Sequence, residues 1–222
     1  MGNIDIVGTI IRFALLLPAI VFHEVAHGYV ALALGDTTAK DAGRLSLNPI
    51  RHIDPWGTIM LPLLMTAMFG AGFGYAKPVP VNPYRFRGDR RMGMFLTGIA
   101  GPASNLLLAV FSGIVFRVLA PMSGTITYYV AYGAYLFALM NLVLMFFNLI
   151  PLPPLDGSRV LPLLLPDSAM EAYHKWERYG FFILIGVLWL VPSIFNVDPI
   201  GAYFDVTVYP ILTLITGVGL GG

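Results

Sequence analysis

"VFHEVAHGYVALALGD", Val21 to Asp36, poses the problem of this chain. The stretch closes an apolar run, Ile4 to Leu34, long enough to cross a bilayer, for which about 20 residues suffice. Yet His23, Glu24 and His27 crowd into little more than one helical turn of it. A charge near the bilayer centre costs on the order of 2.5–3.5 kcal/mol even on the lenient insertion scale, so such groups tend to be functional. On a helix, His23 and His27 stand at i and i+4 on one face, and both rings can reach a single ion. Glu24, one residue on, flanks that ion instead of binding it. In zinc proteases the His-Glu-x-x-His pattern holds metal with its histidines and uses the glutamate as general base toward water. The plainer reading makes the histidines packing groups and pairs Glu24 with an arginine.

The rest of the chain supports a membrane setting. Of 222 residues, 57% are hydrophobic and 11% charged, against roughly a quarter charged in soluble domains. A net charge of +1 gives no basic field for nucleic acid. With no cysteine, disulfides and thiolate ligands are excluded. The first run lacks the basic leader of a cleaved signal peptide, and cleavage after it would discard the histidine motif. Beyond Ile4–Leu34, spans are expected at Met92–Ala120, Tyr128–Ile150, around Gly180–Val191 and, more weakly, at Ile200–Val218. Gly57–Gly74 is short and rich in Gly, Pro and Met, and is expected to span or to be re-entrant. The expectation is therefore an all-α polytopic membrane protein, residues 1–222 forming one membrane-embedded domain. It would have five or six transmembrane helices with short re-entrant or β-hairpin-like loops.

Lys77, Arg85, Arg87, Arg90 and Arg91 put the Tyr75–Arg91 loop in the cytoplasm by the positive-inside rule. His174, Lys175 and Arg178 then fall in a second inside loop. A multi-pass protein of the cell membrane follows, with its polar site reached from the cytoplasmic side.

Catalytic zinc usually takes three protein ligands and keeps one position open. Beyond the two histidines the candidates are Asp156, Glu171, Glu177, His52 and His174. Asp156 stands out because Pro151, Pro153 and Pro154 cannot continue a regular helix. The span should unwind over Asn148–Leu155 and deliver Asp156 into a broken-helix pocket. An alternative makes Asp156 the N-cap of a helix from Gly157 to Leu165. Asn105 and Asn148, polar residues in apolar spans, could line a water path, donate to a developing oxyanion, or bridge helices. "GRLSLNP" and "AKPVPVNP" alternate as strands do and could offer an edge to an unwound peptide, or could be interfacial loops.

"HEVAH" on the first span and "NLIPLPPLDG" at the end of a later one together resemble the two signatures of the site-2 protease family of intramembrane zinc metalloproteases. "GRLSLNP", "HIDPWGT", "KPVPVNP" and "GPASN" are similar to the intervening blocks of its compact bacterial and archaeal branch. The resemblance implies one zinc ion per chain on His23, His27 and Asp156, with Glu24 as catalytic base and Asn148 as a polar helper. It implies hydrolysis of a peptide bond in or near a transmembrane helix of a membrane-protein partner within the lipid bilayer. The chain is expected to correspond to the catalytic core alone, and the oligomeric state stays open. Two rivals remain: a membrane zinc protease of the prenyl-protein processing type, with Glu171 or Glu177 as ligand, and a metal transporter or sensor without hydrolysis.

Overall fold

The computed structural model describes residues 6–60 and 77–218. Nine α-helices occur among them: α1 (Ile6–Ala33), α2 (Thr38–Asp41), α3 (Arg90–Leu119), α4 (Thr125–Leu149), α5 (Leu161–Leu164), α6 (Asp167–Glu177), α7 (Gly180–Ile185), α8 (Val191–Phe195) and α9 (Pro199–Thr216). No strand occurs among the described residues. Segments of α1, α3, α4 and α9 are long and apolar enough to cross a membrane, and residues 167–195 form a bent pair of the kind seen in a broken span or a re-entrant loop. This is an all-α multi-pass membrane protein. The expected Gly57–Gly74 element falls largely on residues 61–76, outside the described residues.

Interior prolines sit in α1 (Pro18), α3 (Pro102) and α9 (Pro210) without ending those helices. Spanning helices tolerate this because neighbours and local adjustments satisfy the freed carbonyls. α3, α4 and α9 share a core of Ala109, Ala138, Leu142, Val208 and Leu212. Small residues at the crossings let backbones approach, as is usual between helices in lipid. Gly113 on α3 is close enough to α9 that an added Cβ would lie 3.1 Å from Ile215.

Side-chain contacts fix the directions. His27 reaches the carbonyl of Thr97, and His23 reaches Asn105, so α1 runs antiparallel to α3. The Tyr203 hydroxyl donates to the carbonyl of Phe146 (3.2 Å) at the start of α9. Arg117 of α3 donates to the carbonyl of Leu214 (2.6 Å) near its end. α9 is thus parallel to α3 and antiparallel to α4. The path from Leu149 to Pro199 therefore leaves and rejoins the bundle at the same end, so the apolar segment around Gly180–Val191 gives no net crossing. α6 and the Gly180–Phe195 segment meet at a bend of 62°.

At that same end the polar connections are stitched together. Asp36, fully buried just past α1, accepts from the Asn82 N–H (2.6 Å), the Thr38 N–H (2.9 Å) and the Thr38 hydroxyl (2.5 Å). Arg87 N–H donates to the Leu34 carbonyl (2.7 Å), and Lys77 N–H to that of His52 (2.9 Å). "GRLSLNP" and the described part of "AKPVPVNP" thus run as irregular connections tied to the bundle. α4 ends at Leu149 and the chain unwinds over 150–155, as the prolines demand. A 3-10 turn, Asp156–Arg159, follows, and then the short α5. The expected single helix from Gly157 to Leu165 is broken, and the Asp156 side chain turns inward instead of capping it.

Candidate metal centre

The i, i+4 spacing puts His23 and His27 on the α1 face that packs on α3, at the level of Thr97, Gly101 and Asn105. At 1.5 Å per residue this lies roughly 10–20 Å along α3 from Arg90. The unwound segment after α4 brings Asp156 to the same point. Gly157 permits that approach, since a Cβ on it would lie within 2.6 Å of the carbonyl oxygen of Ile150. His23 Nε2 and His27 Nε2 stand 2.9 and 3.0 Å from Asp156 Oδ2, and 3.1 Å from each other. All three residues are buried. They form a group able to hold a metal ion.

The hydrogen bonds behind the rings test whether an ion fits. The Nδ1 of His27 lies 2.6 Å from the carbonyl oxygen of Thr97, which can only accept. The Nδ1 of His23 lies 2.5 Å from Oδ1 of Asn105. Both rings therefore carry a proton on Nδ1, which in the neutral imidazole leaves the Nε2 lone pair free. In that form two lone pairs and a carboxylate oxygen converge within 3.1 Å, an arrangement that a cation between or above them satisfies. Donors of a tetrahedral zinc, about 2.0–2.1 Å from the ion, stand about 3.3 Å apart, close to this triangle. Gly101 faces the same space: a Cβ there would be 2.6 Å from His23 Nε2 and would collide with His27 Nε2. Imidazole and carboxylate donors without thiolate suit zinc.

The other carboxylate oxygen, Asp156 Oδ1, faces the Arg159 guanidinium at 3.4 Å. Arg159 thereby holds the group so that Oδ2 is directed at the histidines. Glu24 accepts the Val79 N–H on Oε2 (2.8 Å). Its neighbours Pro78 and Pro80 lack N–H groups, so Val79 is the donor at this point of the connection. His23, Glu24, His27, Asn148, Asp156 and Arg159 all line one cavity of about 500 Å³.

The remaining candidates lie outside the triangle of donors. Asn148 lines the cavity but donates to the Leu144 carbonyl of its own helix (3.0 Å). Asn105 is fully buried behind His23, not in the cavity wall. His52 is buried against the Ser46 carbonyl (2.7 Å), away from the centre. Glu171 and Glu177 are exposed on α6, and Glu171 pairs with Lys175 (2.7 Å). His174 is on the same helix. Sequence reasoning missed Thr97, Gly101 and Arg159. A backbone carbonyl leaves no signal in residue type. Gly101, in contrast, stands beside Pro102 in a spanning helix, and Arg159 is a charge directly after Asp156-Gly157-Ser158.

Comparisons with known proteins give the family. The model of Peptidase family M50 matches residues 116–191. A protein of Bacillus subtilis (strain 168) named "Putative zinc metalloprotease YwhC" is 42% identical over 194 residues, covering 85% of this chain and 80% of the relative. "Putative zinc metalloprotease Rip2" of Mycobacterium tuberculosis (strain H37Rv) is 31% identical over 179 residues, covering 80% of this chain and 66% of the relative. The protein of the same name from Mycolicibacterium smegmatis is 28% identical with the same coverage. No solved structure matches. The chain belongs to Peptidase family M50, the site-2 protease family of intramembrane zinc metalloproteases.

Proposed function

We propose that His23, His27 and Asp156 hold a single catalytic zinc, and that Glu24 is the general base for hydrolysis of a peptide bond in or near a transmembrane helix of another membrane protein. The observation that carries this reading is the convergence of three lone-pair donors from two distant segments, in a cavity that Glu24 also lines. Bound zinc would supply a Lewis acid that polarises the scissile carbonyl and makes water acidic near neutral pH. Glu24 takes the proton of the attacking water and returns it to the leaving amine. Val79 N–H, on one oxygen of Glu24, orients the carboxylate for both transfers. Asn148 lines the cavity wall and, with one amide hydrogen spent on the Leu144 carbonyl, offers its second to the peptide carbonyl oxygen as charge develops there.

We assign the end bearing Lys77, Arg85, Arg87, Arg90 and Arg91 to the cytoplasm of a cell-membrane protein, and entry of water from that side. The chain acts as one membrane-embedded domain over residues 1–222. A transporter of the same ion would have little use for an unliganded carboxylate beside it. Replacing Glu24 by Gln tests the reading in detergent or nanodiscs with a transmembrane-helix reporter. Cleavage should fall by about 10²–10⁴-fold, the usual weight of a general base, while the zinc content of the purified protein stays unchanged. Undiminished cleavage by that variant would overturn the mechanism. Zinc flux across proteoliposomes without proteolysis would favour transport.

A further inference from the structure

Asn141 on α4 is fully buried, touches neither the cavity nor any candidate ligand, and has no place in the chemistry above. Its amide nitrogen donates to the Phe137 carbonyl (2.8 Å), and its Oδ1 accepts from Asn105 Nδ2 (2.8 Å). Asn105 Nδ2 also reaches the Ala19 carbonyl (3.3 Å), and Asn105 Oδ1 faces His23 Nδ1 (2.5 Å). An amide can in general be turned over, exchanging donor for acceptor. Here the two ends of the line remove that freedom. The Phe137 carbonyl can only accept, so Asn141 must turn its NH₂ to it and its oxygen to Asn105. Asn105 must then donate to Asn141, and its own oxygen is left for His23. The polarity of a backbone carbonyl on α4 is thus carried across α3 to a ring on α1.

We infer that Asn141 is a positioning residue for the metal centre: through Asn105 it holds the His23 proton on Nδ1 and so keeps the Nε2 lone pair free for the ion. Without Asn141, the Asn105 NH₂ is left with the longer contact to the Ala19 carbonyl, and its polarity toward His23 is held less firmly. Turned over, that amide would offer its NH₂ to His23 Nδ1, and the proton would move to Nε2, into the triangle of donors. A bonding partner behind a ligating histidine is typically worth 10–100-fold in metal affinity.

The inference rests on His23 being a zinc ligand, and the experiment separates the two. The full chain, labelled with [15N]histidine in detergent micelles, is compared as parent, Asn141→Leu and Asn141→Asp. The His23 signals are assigned from their loss in His23→Gln. In zinc-free protein the parent should show His23 as the Nδ1–H form. Asn141→Leu should shift it toward Nε2–H and lower zinc affinity, titrated with zinc alone against a chelator, by about 10–100-fold. Asn141→Asp, which keeps an oxygen for Asn105 to donate to, should restore both readouts. A leucine variant with the parent tautomer and parent zinc affinity overturns the inference. A purely structural Asn141 would lower stability in both variants and leave the tautomer alone. If leucine prevents folding, Asn141→Ala is judged by the same readouts. Failure of the ligand reading shows separately, as unchanged zinc affinity in His23→Gln.

Discussion

Gly101 carries no side chain, and the centre depends on that. A methyl group there would lie 2.6 Å from one imidazole nitrogen and collide with the other, in the space where the proposed ion would sit. Overpacking of this kind costs typically about 1–3 kcal/mol. Gly101→Ala should therefore bind zinc about 10–100-fold more weakly, measured by chelator competition, with little change in helix content. Parent affinity in that variant would mean the ion sits elsewhere. That His23 and His27 meet on one face beside Glu24 was legible from spacing, because an i, i+4 pair stands on one side of a helix. Asp156 was legible as a polar residue delivered by a proline-broken helix. Asn141 was as visible as Asn105 and Asn148, being an amide in an apolar span, yet its role depends on which carbonyl it meets, and that is a tertiary fact. For Asn105 the residue type left three roles open, a water path, an oxyanion donor or a bridge between helices, and the structure sets it behind His23, bonded to α1 and α4.

Among the elements, the junction after α1 shows how a buried carboxylate can hold two connections together. Burial of Asp36 would by itself raise its pKa, but the hydrogen bonds from Asn82 and Thr38, with the charge of Arg85, outweigh it and hold the carboxyl below the usual carboxylate range. A depressed folded value means stability is fully present above the unfolded pKa of about 4 and is lost as pH falls through the folded value. Asp36→Asn leaves one of these donors facing an amide N–H and should cost about 1–3 kcal/mol. It should also flatten the acid limb of a denaturation curve followed between pH 6 and pH 3. An unaltered acid limb would place the pH dependence on other groups. No alternation of residues predicts this knot, because its partners are separated by the whole stretch from Asp36 to Asn82. Of the two readings of "AKPVPVNP", edge strand or interfacial loop, the described part takes the loop, because its prolines remove N–H groups and the Val79 donor is spent on Glu24.

At the scale of the whole molecule, four long helices carry the fold, and their ends were foreseen to within a few residues because apolar length is set by bilayer thickness. Direction was harder to foresee. Counting spans in order assigns the Gly180–Val191 run a crossing, while Tyr203 beside Phe146 and Arg117 beside Leu214 bring the chain back to the end it left. The chain has no native cysteine, so single cysteines report topology cleanly. Tyr84→Cys and Asn196→Cys should react with an impermeant maleimide from the cytoplasmic side, and Ser123→Cys and Val218→Cys from the other. Labelling of positions 84 and 196 from opposite sides would overturn the arrangement of α9. The meeting of α1 and the segment after α4 around one ion is tested most directly by zinc X-ray absorption. The purified chain should hold one zinc with a shell of two imidazole nitrogens and carboxylate oxygen at about 2.0–2.2 Å, and Asp156→Ala should lose the carboxylate and most of the metal. A zinc shell and stoichiometry left intact in Asp156→Ala would contradict it.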